Sequence, residues 1–211
     1  MFLKYLAIMT VLLGSPALAG VNFDNTTKVL TLSGETTRPQ SLKVWKVLND
    51  EDVRTVVLSG TGGDFYAGIY IGRQFKKHNV TIVIPEGAEC ISACAFIAMA
   101  DKDLVLDGSL LFHVPYRRIM YTNKTMLETA QEYGVAYFDM ATYLVEMGAA
   151  IPFGKQLLSR TTTCKFFTIT EASQFNKLLS PEKPTSHVWV KHSMTDKCEL
   201  MKIKNQLSIG R

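Results

Sequence analysis

The stretch Ala88-Glu-Cys-Ile-Ser-Ala-Cys-Ala-Phe-Ile97 decides how the chain is read. It follows the strand-like run Val80 to Pro85 and leads into Ala93 to Ala100, a segment of small and apolar residues that reads as a buried helix. Ser92 therefore stands at a strand-to-helix junction, between two cysteines. A serine there can be a plain N-cap, its hydroxyl accepting a backbone N–H of the first helical turn. It can also be a nucleophile, since the free N–H groups of a helix start stabilise negative charge on an attacked carbonyl oxygen. Both readings stay open on this stretch alone.

Upstream and downstream, strands alternate with helices. Val29 to Leu32 reads as a strand, Pro39 to Leu48 as a helix with Leu42, Trp45 and Leu48 at helical spacing, and Val53 to Leu58 as an apolar strand. Tyr66 to His78 is helical in pattern, and Leu104 to Leu106 and Ser109 to His113 read as strands. Thr125 to Glu146 is a long helix with Leu127, Ala130, Val135, Phe138 and Leu144 on or near one face. Ile151 to Arg160 and Thr170 to Leu178 give two further helices. This order predicts an α/β fold, a mainly parallel sheet covered by helices. Met120, Met126, Met140 and Met147 are expected in packing, where methionine fills irregular gaps.

The first residues set the compartment. Lys4, the apolar run Tyr5 to Leu13, the Gly14-Ser15-Pro16 break and Ala17-Leu18-Ala19 have the pattern of a signal peptide cut after Ala19. The expected mature protein is a single domain from residue 20 to 211, with the tail from about residue 184 the least predictable part. It is expected to be secreted or periplasmic. The apolar run is shorter than the roughly 20 residues a membrane helix needs, so no membrane span is expected in the mature chain. Loss of Lys4 takes the formal charge from +4 to +3, with both signs mixed along the chain, which gives no support to nucleic-acid binding.

Four cysteines, Cys90, Cys94, Cys164 and Cys198, lie in the mature part and permit three pairings. Proximity favours Cys90 with Cys94 and Cys164 with Cys198. The first pair requires Cys90 to lie in the non-helical turn before the helix, since a bridge inside a regular helical turn is geometrically poor. Neither a CxxC redox motif nor a zinc knuckle fits the spacing, so no metal and no cofactor is expected.

The glycines of Ser59-Gly-Thr-Gly-Gly63 follow a strand and open a helix. They allow a phosphate cradle, a tight turn, or backbone N–H donors aimed at an oxyanion. Walker and dinucleotide patterns are both missing.

Taken together, Ser59 to Gly63 with its helix, Cys90-Ile-Ser92-Ala-Cys94 with its helix, and the strand ending Phe112-His113-Val-Pro115 resemble the Clp-protease and crotonase superfamily. The closer likeness is to exported, Clp-like serine peptidases of bacteria, and it runs from about Val29 to Leu178. The resemblance implies repeated β-β-α units, Ser92 as nucleophile and His113 as base. It also implies an oxyanion hole from the N–H groups of Gly63 and Ala93. In the family's Ser-Pro-Gly-Gly turn, Thr61 here stands at the proline. The family's aspartate has Cys164 as its counterpart, ahead of Lys165-Phe-Phe-Thr-Ile-Thr-Glu-Ala172. Asp139, Glu171 or a backbone carbonyl is left to orient His113.

The expectation is therefore an exported serine hydrolase acting on a peptide or protein substrate. A Clp-like module that is weak or inactive and binds peptide or a protein partner is the alternative, and crotonase-type chemistry on an acyl thioester is a further one. Relatives of this fold form rings and trimers, so a homo-oligomer is expected.

Overall fold

The computed structural model describes residues 20–115, 126–161 and 166–179. The first nineteen residues, Tyr116, Arg117 and Arg118, and both Cys164 and Cys198 lie outside them.

The chain enters through a hairpin of β1 (Gly20–Asp24) and β2 (Val29–Ser33), paired antiparallel, and then repeats one unit four times. Each unit is a strand in a main sheet, a short strand off to the side, and a helix. The units are β2, β3 (Glu35–Thr36) and α1 (Arg38–Asp50); then β4 (Thr55–Leu58), β5 (Gly62–Gly63) and α2 (Phe65–His78). They continue with β6 (Thr81–Ile84), β7 (Glu89–Ile91) and α3 (Ala93–Ala98), and with β8 (Val105–Leu106), β9 (Ser109–Phe112) and α4 (Met126–Glu146). α5 (Ile151–Arg160), β10 (Phe167–Ile169) and α6 (Ala172–Leu179) follow. The main sheet has the order β1-β2-β4-β6-β8 and is parallel beyond the first hairpin. The side strands pair as β3-β5 and as β10-β9-β7, with β7 parallel and β10 antiparallel to β9. This is the expected α/β fold of repeated β-β-α units.

Local chemistry sets the helix ends. Thr37 caps α1 by accepting from Gln40 N at 3.3 Å, and Asp64 caps α2 by accepting from Ala67 N at 3.1 Å. Asn79 closes α2 in the left-handed region, one of the few side chains that tolerates it. α3 has six residues, all buried. A helix that short does not persist by its own propensity, so packing holds it. Phe96 is the hub of that packing: its ring meets Phe65, Phe112 and Tyr143 edge-on, and Phe112 passes the contact on to Phe153.

Two helix faces differ from the expected ones. In α1 the buried residues are Gln40, Ser41, Val44 and Leu48, while Leu42 is 64 % exposed and Trp45 also faces solvent. The α1 face against the sheet is partly polar because Gln40 Nε2 donates to the Ser33 carbonyl at 3.1 Å, which an apolar count misses. In α4, Met140, Tyr143 and Leu144 are buried, as is Met147 just past its end, whereas Val135 and Phe138 are exposed, the latter by 72 %. The expected packing role of Met140 and Met147 is therefore observed. Among the described residues no helix is long and apolar enough to cross a membrane.

Candidate active site

β4 runs into the glycine loop, and that loop is bonded to the strand that carries Ser92. Gly60 N donates to Glu89 O and Ile91 N donates to Gly60 O, both at 2.9 Å. A Cβ on Gly62 would lie 2.5 Å from Ile91 O, 2.7 Å from Ser92 Cβ and 2.9 Å from Ala93 N. Only glycine lets the loop approach the junction this closely. The next residue, Gly63, lies on the short ladder to β3, where Asp64 N donates to Thr36 O at 2.8 Å. Ala93 is the first residue of α3, and its N–H has no acceptor within the helix.

Ser92 itself has φ 57° and ψ −121°, and its side chain makes no capping hydrogen bond. A capping serine sits in extended backbone with its oxygen on an N–H of the first turn. The bland reading of this hydroxyl fails on both counts. A non-glycine residue in this region costs of order 1–3 kcal/mol and persists only where the surroundings over-determine it. Three surroundings do so here. Ser92 N donates to Leu111 O on β9 at 2.8 Å, the Gly60–Gly62 loop abuts it, and a disulfide joins Cys90 to Cys94 across it with Cα atoms 5.1 Å apart. Cys90 is in β7, outside the helix, as the bridge requires.

His113 follows the last residue of β9, and β7 and β9 are parallel neighbours with Ile91 opposite Leu111. Both Ser92 and His113 therefore emerge at the same ends of adjacent strands. The His113 ring is buried, 2 % exposed, with an edge-on contact to Phe166 at 5.0 Å. Its Nδ1 lies 2.8 Å from the Val114 carbonyl oxygen. A carbonyl oxygen only accepts, so Nδ1 carries the proton and Nε2 of the neutral ring keeps its lone pair. Burial pushes the His113 pKa below the ordinary 6.5, and the bond to Val114 offsets this only in part. Of the orienting groups left open by the sequence, the backbone carbonyl is the one bonded to the ring. Asp139 instead pairs with Tyr66, whose phenol is raised first by burial and then by that hydrogen bond. Glu171 is exposed at the start of α6, where its carbonyl accepts from Gln174 N and Phe175 N.

The sequence did not single out Thr161 or Val114. Thr161 Oγ1 accepts from Val114 N at 3.1 Å and donates to Leu157 O at 2.7 Å. No motif announces such a residue, because its partners are main-chain atoms. Among the described residues no cluster of histidine, cysteine, aspartate and glutamate has the make-up of a metal site.

No protein-family model and no curated protein sequence matches the chain. Among solved structures, a mutant of ClpP1 from Listeria monocytogenes is similar, with a TM-score of 0.56 and 17% sequence identity over 72% of this chain and 90% of that one. At that identity the likeness speaks to architecture, and it agrees with the four β-β-α units described above. The chain has a Clp-protease-like fold.

Proposed function

We propose that the chain is an exported serine hydrolase that cleaves peptide bonds, with Ser92 as nucleophile and His113 as general base. The observation that carries the reading is the backbone of Ser92, strained and without a capping bond. Strain at a serine on a strand-to-helix turn is the arrangement that exposes a nucleophilic hydroxyl. In the proposed reaction Ser92 Oγ attacks the substrate carbonyl and its proton passes to His113 Nε2. The oxyanion is held by the N–H groups of Gly63 and Ala93. Collapse expels the amine, which takes the proton back from His113, and water releases the acyl group by the same route. The signal-like first nineteen residues support export, and the buried Cys90–Cys94 disulfide agrees with an oxidising compartment.

Treatment of the folded chain with a fluorophosphonate probe is expected to label Ser92, and Ser92→Ala to abolish labelling. A label retained in Ser92→Ala would place the nucleophile elsewhere. A folded chain without any label would favour a second reading, a peptide-binding module, which gains support from His113 being oriented by a neutral carbonyl.

The rate of labelling should also report His113. The base must be neutral, and burial lowers its pKa, so the acid limb of the pH–rate profile is expected to have its midpoint below 6.5. The sign for stability is the same: the unfolded chain binds the proton more readily, so stability is complete above about 6.5 and declines as pH falls toward the folded-state pKa. A midpoint above 6.5 would contradict the buried, carbonyl-bonded ring.

A further inference from the structure

We infer that Thr161 is the positioning residue for His113, doing through a main-chain carbonyl what a carboxylate does in a catalytic triad. The inference rests on the reading of His113 as the base.

The chain of contacts is continuous. The Thr161 hydroxyl donates to Leu157 O at 2.7 Å, which fixes its rotor and turns a lone pair toward the Val114 N–H at 3.1 Å. Thr161 N also donates to Leu157 O, at 3.1 Å, so the residue is bound to the end of α5 by both main chain and side chain. Val114 O then accepts from His113 Nδ1 at 2.8 Å. All three residues, His113, Val114 and Thr161, are buried.

β9 ends at Phe112, so the ladder to its neighbours does not fix the direction of Val114. Two other restraints do. Pro115 confines the residue before it to extended backbone. Thr161 anchors the Val114 N–H, and with both ends of Val114 set, its carbonyl is aimed at the ring. A hydroxyl anchored on the C-terminal end of a helix is rigid, which suits a group that must hold a tautomer. A neutral carbonyl holds the ring and its tautomer but offers the imidazolium less than a carboxylate would, in keeping with the direction of the His113 pKa.

The test uses the full chain, and two variants at one position. Thr161→Val removes the acceptor for Val114 N–H while keeping the shape. It should slow the covalent step of fluorophosphonate labelling roughly 10- to 100-fold through misplacement of the base, with the probe's preceding binding step unchanged. Thr161→Ser keeps the hydroxyl and should restore most of the rate. Nitrogen-15 spectra of the histidine ring give a readout independent of labelling: His113 should be the Nδ1–H tautomer in the wild-type chain and a mixture of tautomers in Thr161→Val. Where Thr161→Val does not fold, Thr161→Ala, which also removes the acceptor for Val114 N–H, carries the same comparison. An unchanged rate and tautomer in the variant lacking the hydroxyl would overturn the inference, as would a Thr161→Ser chain as slow as Thr161→Val. A wild-type chain that takes no label sinks the hydrolase reading instead, and the tautomer comparison alone then decides the role of Thr161.

Discussion

Gly62→Ala is expected to destabilise the fold by about 2–5 kcal/mol, whereas Gly87→Ala should cost only about 1–2 kcal/mol. The two glycines have nearly the same positive φ, 78° and 71°, so both carry the penalty for placing an L side chain at positive φ. They differ in what surrounds them. A Cβ on Gly87 meets nothing within 4 Å, while on Gly62 it falls 2.5 Å from Ile91 O, 2.7 Å from Ser92 Cβ and 2.9 Å from Ala93 N. Two of these three are backbone atoms, which cannot swing aside as the end of a flexible side chain would. The difference between the variants in urea denaturation therefore isolates the contact between the glycine loop and the Ser92 turn. Gly62→Ala should also suppress labelling of Ser92, because any relief must come from separating the loop from that turn. Equal midpoints for the two variants would show that the loop does not press on Ser92.

The same residues show how far the sequence could be read. The Cys90–Cys94 pair was legible from short-range order, two cysteines with a strand before and a buried helix after, and the same order made Ser92 a candidate, while His113 became one only through the family resemblance. The positive φ of Ser92 was not legible, since serine is unremarkable in any turn, and only the structure excludes the capping role. The main strands β2, β4, β6 and β8 announced themselves as apolar runs. β3, β5, β7 and β10 are two or three residues long, too short for an alternation to register, yet β5 and β7 carry the residues around the site. Helix faces were misread where apolar residues face outward, as at Leu42 and Phe138. Leu42 loses its place against the sheet to Gln40, whose side-chain amide finds a carbonyl there. Thr161 was illegible altogether, because its role depends on where α5 ends relative to a strand almost fifty residues earlier.

The second large effect is expected at Tyr143, which ties α4 to α3, the helix that follows Ser92. Tyr143 is fully buried, and its hydroxyl donates to Phe96 O in α3 at 2.7 Å. Burial pushes the phenol far above its ordinary pKa, so it remains a donor at every accessible pH. The Arg73 guanidinium lies 5.8 Å from the ring centre and is itself held by Glu146 at 2.7 and 3.1 Å. Tyr143→Ala should cost about 3–5 kcal/mol, the usual range for a large buried aromatic. Tyr143→Phe should cost about 1 kcal/mol, because Phe96 O also accepts from Met99 N at 3.2 Å and is not left bare. Gly72 supplies the sharper test. A Cβ there would lie 1.9 Å from the Tyr143 hydroxyl oxygen and 3.0 Å from the ring carbon that bears it, so Gly72→Ala must displace the ring from its slot between α2 and α3. Deleting the hydroxyl removes the worse of the two contacts. The double variant Gly72→Ala with Tyr143→Phe should therefore be more stable than the sum of the single changes implies, by about 1–3 kcal/mol in a double-mutant cycle. Strict additivity would mean that the hydroxyl does not occupy the space beside Gly72, and that α4 is anchored to α3 by some other contact.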